Sequence, residues 1–369
     1  MSKTEAEKAA EPSQDDYALV ARPAAEIEAP ELPYRPPMPR DRGVPIALVG
    51  AGGISAAHLE AYARYGLNVV AICSRDLERA RARRDARFPN ARVTDDFDTL
   101  LRDPNIRVLD LTAHPDVRLD LMRRALNADK HVLSQKPFVE NLADGRELVE
   151  LAERRGLRLA VNQNGRWAPH LAYIREAVRA GLIGEVIGVH VEIRWNHCWI
   201  AGTSFEAMDD VIFWDFGVHW FDFLASVIGD RARSVYATTA RAAGQTARPP
   251  LLAQALVVFD GGQASLVFDG ATRYGARDST SVIGANGVAS SQGPDLGHQA
   301  VELYTEAGVA RPVLTGAWFN DGFAGAMGEL LCAVEDGREP LNSARGNLLS
   351  LKLCLAALRS VKSGIPSPI

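Results

Sequence analysis

The chain has 369 residues, 47% apolar and 24% charged, with 31 Gly, 20 Pro and a formal net charge of −5. These proportions exclude collagen, coiled coil and wholesale disorder, and a negative balance supplies no basic field for nucleic acid. At about 150 residues per domain, two domains are expected. No apolar run approaches the ~20 residues needed to span a bilayer, so no membrane partner is expected.

The first residues, Met1-Ser2-Lys3-Thr4-Glu5-Ala6, lack the apolar stretch of a secretory signal. Cys73, Cys198, Cys332 and Cys354 are scattered without CxxC spacing, which argues against a disulfide framework. Both features predict a cytoplasmic protein. Residues 1–43 are Ala/Glu/Lys-rich and then proline-rich from Pro30 to Pro39. Such proline density excludes helix. The segment reads either as a disordered tail or as an arm laid on a neighbouring subunit through Leu32, Tyr34 and Met38.

From Val44 apolar runs alternate with amphipathic stretches. Strands are predicted at 45–50, 68–73, 107–113, 131–134 and 157–161. Helices are predicted at 55–65, 77–87, 116–128 and 142–155. This grammar predicts an α/β Rossmann domain over 44–164, a doubly wound parallel sheet covered on both faces. Beyond Gly165 the pattern becomes that of a half-buried sheet. Strands are predicted at 186–195, 233–239, 251–259, 263–268, 280–283 and 300–305, with Gly-rich turns between them. Helices close the chain near 322–335 and 344–363. Residues 165–369 are therefore expected to form an α+β domain with a large, open, mostly antiparallel sheet. That domain is expected to bind substrate and to build a homo-oligomer, dimer or tetramer, through its sheet.

The first predicted strand, Ile46-Ala47-Leu48-Val49, runs into Gly50-Ala51-Gly52-Gly53-Ile54-Ser55 and a helix. Gly50 permits a tight turn, and Gly52 lets the backbone approach a pyrophosphate. Free N–H groups of Gly53, Ile54 and the helix start point at the anion. Small Ser55 stands at the third position of the glycine motif. This context makes the turn a dinucleotide site. At the end of the second strand, Ser74 holds the position where an acidic residue binds the ribose of NAD, with Arg75 beside it. The cofactor is thus NAD(P), with NADP favoured over NAD. Asp76, one step on, keeps NAD open.

Two further segments complete a pattern. One holds Thr112-Ala113-His114-Pro115 and, twenty residues on, Gln135-Lys136-Pro137; the other is Asp215-Phe216-Gly217-Val218-His219. Together with the glycine turn and Gly337-Arg338-Glu339-Pro340, they resemble the glucose–fructose oxidoreductase/inositol dehydrogenase (Gfo/Idh/MocA) family from Val44 to the end. The resemblance implies an NAD(P)-dependent oxidoreductase acting on a sugar, polyol or cyclic carbohydrate. Lys136 then lies by the nicotinamide ribose and the reacting hydroxyl, Asp215 and His219 lie over the substrate, and Thr112, His114 and Gln135 line the cofactor. The family's Lys–Pro bond is often cis. Gln135 departs from the family's usual Glu, and a neutral amide stabilises a nearby ammonium less than a carboxylate does. At i,i+4 on a helix, Asp215 can hold the His219 imidazole in one tautomer while the ring takes the hydroxyl proton.

The resemblance places Asn162, Asn164, Arg166 and Trp167 along the substrate cleft, with Arg166 donating to hydroxyls and Trp167 stacking on a ring. Trp195 and His197 alternate to one side of a strand end and, with Trp199, are carbohydrate-facing candidates. Packing between subunits is the alternative for the tryptophans. No metal is expected, because His190, His197, Cys198, His219 and Asp222 show no ligand spacing; no G-x-S-x-G elbow occurs either. Two other functions stay open: an NAD-dependent glycosidase of the same family without net redox, and a cofactor-binding regulatory protein.

Overall fold

The structure, a computed structural model, describes residues 23–369. Its elements begin with β1 (Glu26–Ile27), β2 (Ile46–Val49), α1 (Ser55–Tyr65), β3 (Val69–Cys73), α2 (Leu77–Arg87) and β4 (Arg92–Thr94). Then come α3 (Phe97–Arg102), β5 (Val108–Leu111), α4 (Pro115–Asn127), β6 (His131–Gln135), α5 (Leu142–Arg154) and β7 (Leu159–Asn162). Strands β2 to β7 make a six-stranded parallel sheet in the order β4-β3-β2-β5-β6-β7. This is the doubly wound Rossmann order, whose switch point falls between β2 and β5. Strands β2, β5 and β7 are buried throughout because helices cover both faces, while edge strand β4 is partly exposed. Strand β4 and helix α3 carry no clear apolar run and escape the sequence pattern.

The second half holds α6 (Pro169–Arg179), β8 (Val186–Arg194), a wide π turn at Ile212–Gly217, α7 (Val218–Ile228), β9 (Ala232–Ala240) and β10 (Leu252–Phe259). It continues through β11 (Gly262–Asp269), β12 (Arg277–Gly284), β13 (Gly287–Asp295), β14 (His298–Thr305) and β15 (Gly308–Ala310). Helices α8 (Trp318–Asp336) and α9 (Ala344–Ser363) and strand β16 (Ser367–Pro368) end the chain. The ten-stranded sheet runs β1-β15-β14-β13-β12-β8-β11-β10-β9-β16. Among the described residues only its β1/β15 and β8/β11 pairs are parallel. Strand β13 reads Gly-Val-Ala-Ser-Ser-Gln-Gly-Pro-Asp, too rich in Gly and Ser to signal a strand, and is recruited by pairing with β12 and β14.

Helix α8 does not lie where sequence order suggests. Its Phe323, Met327 and Leu330 share one core with Ile46, Leu48, Leu59 and Tyr62, so it covers a face of the parallel sheet. The proline-rich segment packs on its own chain. Glu26–Ile27 adds a strand beside β15, the Tyr173 hydroxyl donates to Pro30 O at 3.0 Å, and Glu335 accepts from the Arg40 and Asp41 N–H groups. Residues 1–22, the start of the anticipated tail, lie outside the described residues.

Candidate active site

The glycine turn sits at the switch point. Gly50 has φ +106°, and a Cβ there would lie 2.7 Å from Ala113 N, so only glycine lets β2 and β5 close so tightly. Thr112 staples the two strand ends, its Oγ1 donating to Gly50 O at 2.6 Å. Ser55 Oγ donates to Gly52 O at 2.6 Å and is fully buried, fixing the turn against α1. A nicotinamide dinucleotide fits this cradle. A Cβ on Gly52 or Gly53 would meet nothing within 4 Å. Helix α1 also has no side-chain cap and no acidic residue in its first turn, which leaves its N–H groups and positive dipole end available to a pyrophosphate.

At the end of β3, Asp76 caps α2, its Oδ1 accepting from Arg79 N at 2.9 Å. Ser74 and Arg75 stand at the strand end, and Arg75 is exposed. His114 is exposed and caps α4.

Lys136 follows β6 at the carboxyl edge of the sheet, and the Lys136–Pro137 bond is cis. Its Nζ donates to Asp215 Oδ1 at 2.7 Å and to Asp215 O at 2.6 Å. Asp215 therefore supplies the anion that residue 135 does not. Arg118, 2% exposed, fixes the neighbouring backbone by donating to Pro137 O and, at 3.4 Å, to Ala113 O. Burial lowers its guanidinium to about 10, still charged at neutral pH.

His219 lies one turn beyond Asp215, edge-on to Trp318 with ring centroids 5.4 Å apart. Burial, aided by the Lys136 charge, holds its imidazole well below the usual histidine range, hence neutral. The anticipated Asp215–His219 hydrogen bond is not formed. Asp215 lies in the π turn Ile212–Gly217, whose wider spacing rotates the carboxylate relative to an α-helical i,i+4 pair and turns it to Lys136.

Three cleft candidates and one cofactor candidate take other places. Arg166 donates to both carboxylate oxygens of Asp222, at 2.6 and 2.9 Å, and to Leu341 O, so its fork is committed inside the protein. Trp167, 3% exposed, packs against Gly325 in the α8 core, not over a ring site. Asn162 and Gln135 turn inward to His58, at 3.1 and 3.2 Å, because the buried imidazole needs partners. Gln135 thus does not line the cofactor cradle.

The other candidates, Asn164, Trp195, His197 and Trp199, lie just beyond the ends of β7 and β8. Trp195 and His197 stack at 3° with centroids 5.9 Å apart, and Trp199 is exposed. Burial lowers His197 to about 4. Asn164 Oδ1, Trp195 Nε1, His197 Nδ1 and His219 Nδ1 are buried with no partner among the described residues. The sequence reading missed Gln163, whose two amide atoms are likewise unpartnered; its place after β7 was the signal available. It also missed Arg118 and the His58 network. There, Asp110 in the apolar run Val108-Leu109-Asp110-Leu111 was a usable clue, since a carboxylate in a doubly covered strand needs a partner.

Residues 44–163 match the profile described as "Oxidoreductase family, NAD-binding Rossmann fold", and residues 171–290 match the GFO/IDH/MocA C-terminal domain. D-apiose dehydrogenase of Paraburkholderia graminis is 28% identical over 337 residues, 86% of this chain and 88% of that protein. Inositol 2-dehydrogenase of Rhizobium meliloti is 26% identical over 328 residues, 86% and 97% of the two chains. An Agrobacterium radiobacter oxidoreductase, solved in complex with NAD+, L-tartaric acid and magnesium, superposes with TM-score 0.78 at 23% identity, over 88% of this chain and 98% of that one. Its likeness is one of fold. With family models matching both halves of the chain, it belongs to the GFO/IDH/MocA family of NAD-binding oxidoreductases.

Proposed function

We propose that the protein oxidises a secondary hydroxyl of a sugar, polyol or cyclic carbohydrate, or reduces the matching ketone. The observation that carries this reading is the Lys136 ammonium at the carboxyl edge of the parallel sheet, paired with Asp215, with a neutral His219 one turn beyond Asp215 that feels the Lys136 charge. Gly50, Gly52, Gly53 and the start of α1 would hold the dinucleotide, which when bound supplies a hydride acceptor or donor. Lys136, anchored by Asp215, has a third N–H to offer the substrate oxygen and stabilises negative charge developing there. His219 carries a ring lone pair able to take the hydroxyl proton. Trp195, His197 and Trp199, with unpartnered Gln163 and Asn164, form the hydroxyl-facing wall. The relatives named for D-apiose and inositol support the substrate class. The reading favours NADP over NAD, because Asp76 is engaged at its helix cap while Ser74 and Arg75 stand where the 2′-phosphate would lie.

The outer face of the ten-stranded sheet carries partly exposed Tyr236, Leu256, Val258 and Tyr304, which supports a homo-oligomer formed through that sheet. Sedimentation of Leu256→Glu checks it, with a smaller species expected. The activity is tested by following reduced nicotinamide with a panel of free pentoses, hexoses and inositols. Turnover is expected with at least one of them and either cofactor. Release of a free sugar from a glycoside without net change in the nicotinamide would favour the non-redox enzyme instead.

A further inference from the structure

Beneath the Lys136 strand end lies a chain of polar groups away from solvent. His58 on α1, Tyr62 one turn along, and Asp110 in the middle of β5 are all 0% exposed. Asp110 Oδ2 accepts from Tyr62 Oη at 2.8 Å and lies 2.8 Å from His58 Nδ1. A carboxylate only accepts, so the Nδ1 hydrogen points to it, and Nε2 presents its lone pair on the other side. Burial keeps the Tyr62 phenol far above its ordinary range, and so a donor to the same carboxylate. The Gln135 and Asn162 amide nitrogens face that lone pair at 3.2 and 3.1 Å. Gln135 Oε1 then accepts the Lys136 N–H at 2.7 Å and, at 3.3 Å, the Asn162 amide.

We propose that Asp110, His58 and Gln135 are positioning residues for Lys136: the carboxylate fixes the imidazole, the imidazole fixes the Gln135 amide, and that amide fixes the backbone from which the ammonium reaches Asp215. The inference rests on the proposed role of Lys136 and deepens it. It also accounts for glutamine at 135. The position needs a donor toward His58 Nε2 and an acceptor toward Lys136 N at once, and an amide supplies both. A glutamate would set a carboxylate oxygen against the imidazole lone pair, at two buried acceptors' cost in desolvation.

The test uses full-length His58→Leu, Gln135→Met and Gln135→Glu, with Lys136→Ala as reference. Four quantities are measured: kcat and KM on an active sugar, NAD(P) affinity by fluorescence, and the rate at which an amine-acylating reagent labels Lys136, read by peptide mass spectrometry with Lys352 as internal control. Displacing a reacting group by about 1 Å costs roughly 10²-fold. The expected result is a kcat loss of that order, KM and cofactor affinity within about twofold, and several-fold faster labelling of Lys136 alone as its anchor loosens. Unchanged kcat and labelling in folded His58→Leu and Gln135→Met overturns the proposal. If His58→Leu does not fold, near-isosteric Gln135→Glu decides it, and unchanged labelling there overturns it equally. Full turnover by Lys136→Ala would instead overturn the role of Lys136, a failure separable from that of the positioning chain because labelling is read without turnover.

Discussion

The two halves of the molecule differ in which buried polar groups they leave open. In the Rossmann half Thr112, Gln135, His58 and Lys136 are engaged with the chain itself, while Asp110 Oδ1, Asn162 Oδ1 and both Gln163 amide atoms are buried without a partner among the described residues. In the second half His170, Trp195, His197, His219 and Trp220 each keep at least one buried polar atom unpartnered among the described residues, as do Asp278, Thr280 and Ser291 on adjacent strands. Asp278 is pushed up to about 7 by burial, with Asp295 adding to the shift. Buried groups of this kind find water or a ligand. The comparison teaches that the groups around Lys136 hold one another in place, while the second half leaves more of its buried hydrogen-bonding capacity unspent.

Substitutions break or sharpen this contrast. The largest effect falls in the Rossmann half: Lys136→Ala lowers kcat about 10²–10⁴-fold, with cofactor affinity within about twofold by fluorescence titration. Next is Arg166→Ala, which leaves Asp222, 2% exposed at its side chain, as an unpaired buried charge. It costs about 3–5 kcal/mol of stability in urea unfolding, with KM of any folded fraction unchanged; a raised KM at full stability would return Arg166 to the substrate wall.

Acid tests the second domain. Burial lowers His170 to about 3 and His197 to about 4. Both are neutral in the folded protein and take up a proton on unfolding below about 6.5. The unfolded state binds more protons there, so the stability these residues contribute is intact above that pH and is lost as the pH falls toward 4. The thermal midpoint should drop over that window, and His170→Phe should flatten the slope. The smallest effect is at the nucleotide rim. Arg75→Ala weakens NADP roughly tenfold, about the worth of one charge-assisted hydrogen bond, and leaves NAD unchanged.

The Rossmann half was legible because its signals are local: a glycine turn after an apolar strand and helices with apolar faces alternating with strands. Lys136, Asp215 and His219 were legible as a pattern, but not as a geometry. The π turn that hands Asp215 to Lys136 leaves no mark in residue spacing, and Arg166 and Asp222 find each other across 56 positions. Trp167 was misplaced for a related reason. Whether an aromatic side chain meets a ligand or a helix depends on α8, which arrives more than 150 residues later. Strand β13 is a strand only because its neighbours are.

Helix α8 also sets where this protein can be recombined with its relatives. A chimera joined near residue 165 would take its first half from one parent and the helix sealing Ile46, Leu48, Leu59 and Tyr62 from the other. The half alone would bare that apolar surface to water. Exchange of the second sheet between relatives therefore needs a double crossover, one that carries β8 to β15 as a cassette and leaves α8 with its native partner.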